Sequence, residues 1–104
     1  MSTEYLSDVQ RYDANADEAK VNAIVKHLGI ALRGKDSSLV SCSDTAELDR
    51  VRKQWCMKKL GATDADACDG VIGKVCEEMR GDGRKQRVTF YYLAAKHMGA
   101  LGQL

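Results

Sequence analysis

Residues 63–80, TDADACDGVIGKVCEEMR, carry the clearest periodic pattern in the sequence and decide its fold class. The apolar residues in this stretch recur at intervals of three and four, the spacing that places side chains on one face of an α-helix. Thr63 and Asp66 are spaced as in a capping box, which predicts that Thr63 opens the helix and that Gly81 ends it. The predicted buried stripe consists of Cys68, Val71, Ile72, Val75, Cys76 and Met79.

Similar patterns predict four more helices on either side of this stretch. Asp44 and Glu47 have capping-box spacing at the start of one of them, which Gly61 is expected to end. Gly34 is expected to end the helix that begins near Asp17. The predicted ranges are about 4–12, 17–33, 44–60 and 84–98.

The last predicted helix, residues 84–98, has apolar residues on nearly all of its sides. Residues 88–92 alone resemble a strand, but the segment is too long for one strand and a lone strand would have no partner. A helix that is apolar all round belongs in the middle of a fold. We therefore predict an all-α fold, a single compact array of about five helices around this central C-terminal helix. One domain spans 1–104, with a short helix in the N-terminal segment 1–16 and the helical core in 17–99.

Composition excludes several classes of protein. The chain has 104 residues, 44% hydrophobic and 30% charged, which argues against disorder, and it contains no proline. The longest apolar run, residues 90–95, is far shorter than the roughly 20 residues that span a membrane. A net charge of +1 argues against a generally basic nucleic-acid coat protein.

Two segments together resemble a known family. Residues 43–48, SDTAEL, lead to KKLG at 58–61, and RVTFYYLAAKHMG follows at 87–99. This combination resembles a bacterial family of small proteins known as domain of unknown function 2853. The resemblance covers roughly residues 19–99 and rests on packing and capping residues. It implies a compact helical array and implies no activity.

The cysteines are interpreted from the expected compartment. Residues 1–13 lack the basic and apolar regions of a secretory signal, so we expect cytoplasmic residence and four reduced thiols. Cys68 and Cys76 are eight residues apart on one helix, about 12 Å, too far for a disulfide between them. We expect buried cysteines that behave as small apolar residues, and Cys42, in a loop, is expected to be the most exposed thiol.

Metal, cofactor and catalytic motifs are incomplete. The chain has no C-x-x-C pair, and neither His27 nor His97 forms a helical ligand pair, so we expect no metal. Residues 29–36 approach a phosphate-binding P-loop, but Asp36 replaces the hydroxyl residue that binds magnesium. Nothing in the sequence aligns a thiol, a base and an orienting group. We therefore expect no cofactor and no enzymatic activity.

A cluster of basic residues at the start of the predicted central helix suggests a weak anion site. The predicted site consists of Gly83, Arg84, Lys85 and Arg87, at a turn where free N–H groups and guanidinium groups suit a phosphate or sulfate. Asp82 is expected to cap the helix. In the alternative interpretation, Glu77, Glu78 and Asp82 neutralise these bases across the turn.

Three interpretations of function remain open. The first is a non-catalytic cytosolic helical module for interaction with another macromolecule or for self-association. The second is a weak anion or nucleic-acid binder that uses the basic residues of the C-terminal half, although nucleic acid is disfavoured. The third is a small-molecule enzyme with a pocket around Tyr91 or Tyr92.

Overall fold

The computed structural model describes residues 2–29, 32, 39–82 and 85–103, which contain five α-helices. Over this part of the chain the structure has no β-strand, only an isolated antiparallel bridge between Leu39 and Gln86, so the all-α prediction is confirmed. No helix within it is long and apolar enough to cross a membrane. The helices are α1 (Ser2–Gln10), α2 (Glu18–Leu28), α3 (Thr45–Arg50), α4 (Ala65–Glu78) and α5 (Arg87–His97), with a π-helix (Val51–Lys59) after α3 and a 3-10 helix (Leu101–Gln103) after α5.

Helix α5 lies at the centre of the fold, as its apolar surface predicts. Every residue from Arg87 to Ala95 is buried. Helices α1, α2 and α4 and the π-helix all pack against it. The largest fully buried side chains come from several of these elements and include Trp55, Phe90, Ile24, Met79 and Leu93.

Aspartates cap three of the helices. The carboxylate of Asp44 accepts hydrogen bonds from the N–H groups of Ala46 and Glu47, as predicted for the start of α3. In α4 the prediction of Thr63 as the cap is wrong. The helix begins one residue later, because the Asp64 carboxylate accepts from the two N–H groups that would otherwise be unpaired.

Helix α2 ends earlier than predicted, at Leu28 instead of near residue 33. Gly29 follows with a positive φ of 46°, and its N–H donates to the carbonyl of Val25. A glycine adopts a positive φ without the steric penalty that other residues incur, so it is suited to end the helix at this point. Gly34, the predicted end, lies outside the described residues.

The predicted helix 44–60 is present, but it changes type at its midpoint. Residues Val51–Lys59 form a π-helix, in which each N–H reaches one residue further back along the chain. At its end the N–H of Leu60 donates to the carbonyl of Trp55, at 2.9 Å. Trp55 itself is fully buried, and its indole N–H donates to the carbonyl of Tyr91 in α5 at 2.9 Å.

Helix α5 begins at Arg87, three residues later than predicted. Lys85 and Gln86 instead lie beside the extended residues 39–40, and the N–H of Val40 donates to the carbonyl of Lys85 at 2.8 Å. The prediction that Asp82 caps α5 is therefore wrong. The Asp82 carboxylate accepts from Arg11 at 2.7 Å instead, and so helps to hold α1 in place.

Polar contacts also fix α1 and the turn after it against α5. The hydroxyl of Thr89 donates to the carboxylate of Asp8, and the hydroxyl of Tyr92 donates to the carboxylate of Asp13 at 2.9 Å. Both donors are uncharged and both are buried in α5. The N-terminal helix is thus bound to the core by hydrogen bonds as well as by apolar contacts.

Candidate functional site

A cleft opens between helix α3, the start of α5 and residues 39–44, which form an extended segment and a turn. Its volume is about 730 Å³, within the range of small-molecule and peptide-binding pockets. Both charged and polar side chains face it, together with the backbone of the extended segment. The lining residues are Leu39, Val40, Ser41, Cys42, Ser43, Asp44, Glu47, Arg50, Lys85 and Arg87.

Arg87 links the three walls of this cleft. Its side chain is only 5% exposed, and its guanidinium group forms an ion pair with Glu47 of α3. It also donates to the carbonyl of Leu39 at 3.2 Å and to the hydroxyl of Tyr91 at 3.3 Å. A buried guanidinium group needs such partners, because burial without them would be costly. The position of the 39–44 segment therefore depends on Arg87.

Positive charge exceeds negative charge in this cleft. Glu47 is shared, because Arg50 also donates to its carboxylate, at 3.2 Å. The carboxylate of Asp44 is bonded to N–H groups at the start of α3. Lys85 donates to the carbonyl of Asp82 at 3.1 Å, and it forms no ion pair with a carboxylate of the described residues. Among the lining residues within the described ranges, three cationic side chains thus face one carboxylate that is not already bonded to a helix end.

A disulfide joins one wall of the cleft to α4. Cys42, which lines the cleft, is bonded to Cys76, with Cα atoms 5.9 Å apart, a normal separation for a disulfide. The prediction of four reduced thiols is therefore wrong for this pair. The fold brings the segment 39–44 against α4, a contact between distant residues that sequence spacing does not reveal.

The other two cysteines are free and buried, as predicted. Burial raises the pKa of Cys56 to about 12, and the neighbouring Cys68 and Asp69 add to this effect. Burial also raises the pKa of Cys68. Because the thiolate is the reactive form, both thiols are poor nucleophiles at neutral pH.

A series of three aromatic rings leads from Arg87, at the cleft, to His27. Trp55 stacks on Tyr91 with ring centroids 4.7 Å apart, and His27 lies against Trp55 at 5.1 Å. Burial raises the pKa of Tyr91, although the adjacent Arg87 opposes this effect. The Tyr91 hydroxyl therefore remains protonated at neutral pH and serves to position Arg87.

A second cavity, about 520 Å³, lies at the far end of this series of rings. It is lined by His27, Gln54, Lys58 and Lys59, with no carboxylate among these residues. Burial lowers the pKa of His27, and the positive charges of Lys59 and Lys58 lower it further. The two lysines also lie in the last turn of the π-helix, where positive charge is favourable.

The structure brings together two of the four residues of the predicted anion site. Lys85 and Arg87 both line the cleft, whereas Gly83 and Arg84 lie outside the described residues. The anion site itself stays a prediction. Sequence reasoning missed Arg50 and Glu47 as members of this cluster.

Glu47 was assigned to a capping box, and that assignment is wrong. The N–H of Asp44, which the Glu47 side chain would have bonded, donates instead to the carbonyl of Ser41 at 3.2 Å. The Glu47 carboxylate is therefore available to the two arginines. A single glutamate on the buried side of a helix is the one sequence signal that could have suggested an internal ion pair.

No group of three histidine, cysteine or acidic side chains is arranged to hold a metal ion within the described ranges 2–29, 39–82 and 85–103. The expectation of no metal concerns the whole chain and stays a prediction.

Comparison with known proteins gives one family. The profile of DUF2853, described as proteins of unknown function, matches residues 4–102, nearly the whole chain. The chain belongs to this family. Membership in DUF2853 confirms the resemblance carried by residues 43–61 and 87–99, and the family description assigns no activity. No curated protein matches the chain.

Proposed function

We propose that this DUF2853 protein is a non-catalytic cytoplasmic module that binds an acidic segment of another protein in the cleft at residues 39–44. One observation carries the proposal: Arg50, Lys85 and Arg87 line an open cleft in which, among the lining residues that the structure describes, Glu47 is the only carboxylate not bonded to a helix end. A carboxylate entering this cleft would gain charge-assisted hydrogen bonds, about 1.5–3 kcal/mol each.

The mixed charge of the cleft favours a peptide over a polyphosphate. Asp44 and Glu47 would repel the closely spaced negative charges of a nucleic-acid backbone, but they tolerate a peptide in which acidic and neutral residues alternate. The extended backbone of residues 39–41 also lies along the cleft, in the conformation that accepts a peptide strand.

The chemistry of the described residues supports a non-catalytic role. His97 pairs with Glu78 at 3.0 Å, and across the described residues no hydrogen bond joins a cysteine or serine to a histidine. The two free thiols are buried and their pKa values are raised. None of these groups resembles an activated nucleophile beside its base.

The test is a titration of isotopically labelled protein followed by nuclear magnetic resonance. The probes are a blocked peptide of alternating Glu and Ala and a second peptide with Gln in place of every Glu. We expect the Glu peptide to shift the amide signals of residues 39–44, 47, 50 and 85–87, and the Gln peptide to shift them far less.

Paired variants make the test specific. Arg50→Gln with Lys85→Gln should weaken binding of the Glu peptide about tenfold or more, the loss expected for one charge-assisted contact or better. The control, Lys74→Gln with Arg80→Gln, removes the same charge from α4 and the turn after it and should leave binding unchanged. Equal weakening by both pairs, or no shift with either peptide, would overturn the proposal.

A second candidate is an anion site in the cavity lined by His27, Gln54, Lys58 and Lys59, since no carboxylate lies among these residues. Inorganic phosphate should then shift the His27 ring signals, and salt should weaken the effect strongly. If phosphate moves only the signals of residues 39–44 and 85–87, the first cleft is a general anion site and no peptide preference exists.

A further inference from the structure

The disulfide between Cys42 and Cys76 lies where the cleft meets α4, and one of its two residues lines the cleft. Cys42 is one of the lining residues, whereas Cys76 is not. Both residues are partly exposed. A small molecule bound in the cleft is therefore beside Cys42.

We propose that Cys42 is a site of thiol–disulfide exchange with a small thiol that carries carboxylates, and that the cleft is where this thiol binds. The proposal relies on the same positive charge as the proposed function but requires no protein partner. It adds a covalent modification site, for which the chemical class is a carboxylate-bearing thiol such as glutathione.

The exchange balances without any further reactant. The thiolate of the small molecule attacks Sγ of Cys42, and a new sulfur–sulfur bond forms as the bond between Cys42 and Cys76 breaks. The electron pair of the broken bond remains on Sγ of Cys76, which takes a proton from water. The product is a mixed disulfide at Cys42 and a free thiol at Cys76.

The charges of the cleft select the thiol. Arg50 and Lys85 attract an anionic molecule and stabilise its thiolate, because positive charge lowers the pKa of a nearby thiol. The cleft volume of about 730 Å³ is sufficient for a molecule of this size.

The remaining cysteines do not compete for this reaction. Cys56 and Cys68 are fully buried free thiols, closed to a reagent of this size. Their raised pKa values also leave little thiolate at neutral pH. The fold therefore offers one accessible disulfide, with one preferred sulfur, to a thiol in solution.

Exchange would also release the segment 39–44 from α4. After it, the segment keeps its contacts with α5 through Lys85 and Arg87 but loses its covalent link to the helix that carries Cys76. Bulk added at Cys42 would then occupy the cleft. Modification at this site is thus expected to exclude any other ligand from the cleft.

The experiment measures adduct formation on the oxidised full-length chain by mass spectrometry. Three thiols are compared: glutathione, the neutral 2-mercaptoethanol and the cationic cysteamine. Each sample is quenched with excess iodoacetamide, which traps the thiol that has been released. Each rate is divided by the rate of the same thiol with a small uncharged disulfide, which removes differences in intrinsic reactivity.

We expect the corrected rate with glutathione to exceed that with cysteamine by about tenfold, as is usual for electrostatic attraction into a charged cleft. Peptide mapping should place glutathione on Cys42 and the trapping group on Cys76. Arg50→Gln with Lys85→Gln should reduce the preference to near equality, and the control pair Lys74→Gln with Arg80→Gln should preserve it.

Other outcomes would overturn the proposal. They are an adduct on Cys76, equal corrected rates for the three thiols, a preference that survives Arg50→Gln with Lys85→Gln, or four free thiols in the untreated protein. Because no peptide is present, a positive result here stands even if the Glu peptide fails to bind. A protein that binds the Glu peptide but forms no adduct would refute only this second inference.

Discussion

Helix α5 is held by two different kinds of polar contact on its two sides. Towards α1, the neutral hydroxyls of Thr89 and Tyr92 donate to carboxylates. Towards the cleft, the charged side chain of Arg87 pairs with Glu47. On the first side each bond satisfies a carboxylate and leaves no cation in excess. On the second side the carboxylate of Glu47 is shared by two cations, Arg87 and Arg50.

The two sides of α5 should therefore differ in how much stability is lost when a mutation removes a bonding partner. A hydroxyl that loses its partner is neutral, so its burial costs little more than the lost hydrogen bond. A buried guanidinium group that loses its partner keeps its charge, which costs far more. The free energy of unfolding should therefore be more sensitive to mutation on the cleft side, although this is also the side that is open to solvent.

The largest expected effect is on the cleft side. Glu47→Ala removes the carboxylate that pairs with Arg87, and the two side chains are only 12% and 5% exposed. Breaking a buried pair typically costs about 3–5 kcal/mol, which we expect as a loss in the free energy of unfolding measured in urea. Adding Arg87→Met to Glu47→Ala should recover part of that loss. A loss below about 1 kcal/mol for Glu47→Ala is the range of exposed ion pairs, and it would contradict the contrast between the two sides of α5.

A smaller effect is expected on the α1 side. Tyr92→Phe removes the hydroxyl that donates to Asp13 but leaves that carboxylate its bond from the N–H of Asn15 and its contact with Lys96. We expect a loss of about 1–2 kcal/mol in the same urea measurement. If Tyr92→Phe costs more than Glu47→Ala, the contrast between the two sides is wrong.

The loss of stability at low pH should report on the α1 side of α5 alone. Burial tends to raise the pKa of Asp13, but the hydrogen bonds from Tyr92 and Asn15 and the charge of Lys96 together lower it below its ordinary 3.8. A carboxyl whose pKa is lowered on folding stabilises the protein above pH 3.8, and this contribution is lost as the pH falls through the lowered value.

Asp13→Asn should therefore remove part of the acid sensitivity of the melting temperature. The exposed Glu77→Gln is the control and should leave the acid profile unchanged. The same profile for Asp13→Asn and the parent protein would show that Asp13 does not contribute.

The smallest effect concerns the basic cavity, where cations face one another without a carboxylate in the lining. The titration midpoint of His27, followed by nuclear magnetic resonance, should lie below 6.5, because burial and the charges of Lys59 and Lys58 disfavour its protonation. Lys58→Gln with Lys59→Gln should raise that midpoint. Since the unfolded chain binds this proton more readily, His27 should weaken folding as the pH falls below 6.5. A midpoint at or above 6.5 in the parent would contradict this account.

The apolar part of the fold could be predicted from the sequence. The apolar stripe from Cys68 to Met79 predicted α4, and the apolar surface of residues 88–95 predicted that α5 lies at the centre of the fold. Such patterns are local and repeat at every turn, so they are visible without knowledge of the partner. The helix ends were less predictable, because adjacent polar residues compete for the same N–H groups, as Thr63 and Asp64 do.

The cleft could be predicted only in part. Lys85 and Arg87 were recognised as basic residues near a turn, but the pairing of Arg87 with Glu47 joins residues 40 positions apart in the sequence. The disulfide likewise joins Cys42 to a residue 34 positions away. Both contacts depend on how whole helices are packed, and no spacing rule within one segment indicates them.

The position of α5 in the chain also has a consequence for synthesis on the ribosome. The helix that fills the centre of the fold follows the four other α-helices, and its bonds to Asp8 and Asp13 join residues 81 and 79 positions apart. Chains emerge from the ribosome N-terminal end first, so α1, α2 and α4 are exposed before their common partner exists. Their apolar faces should then depend on chaperones or on rapid completion of the chain, and stable folding should begin only after α5 has emerged.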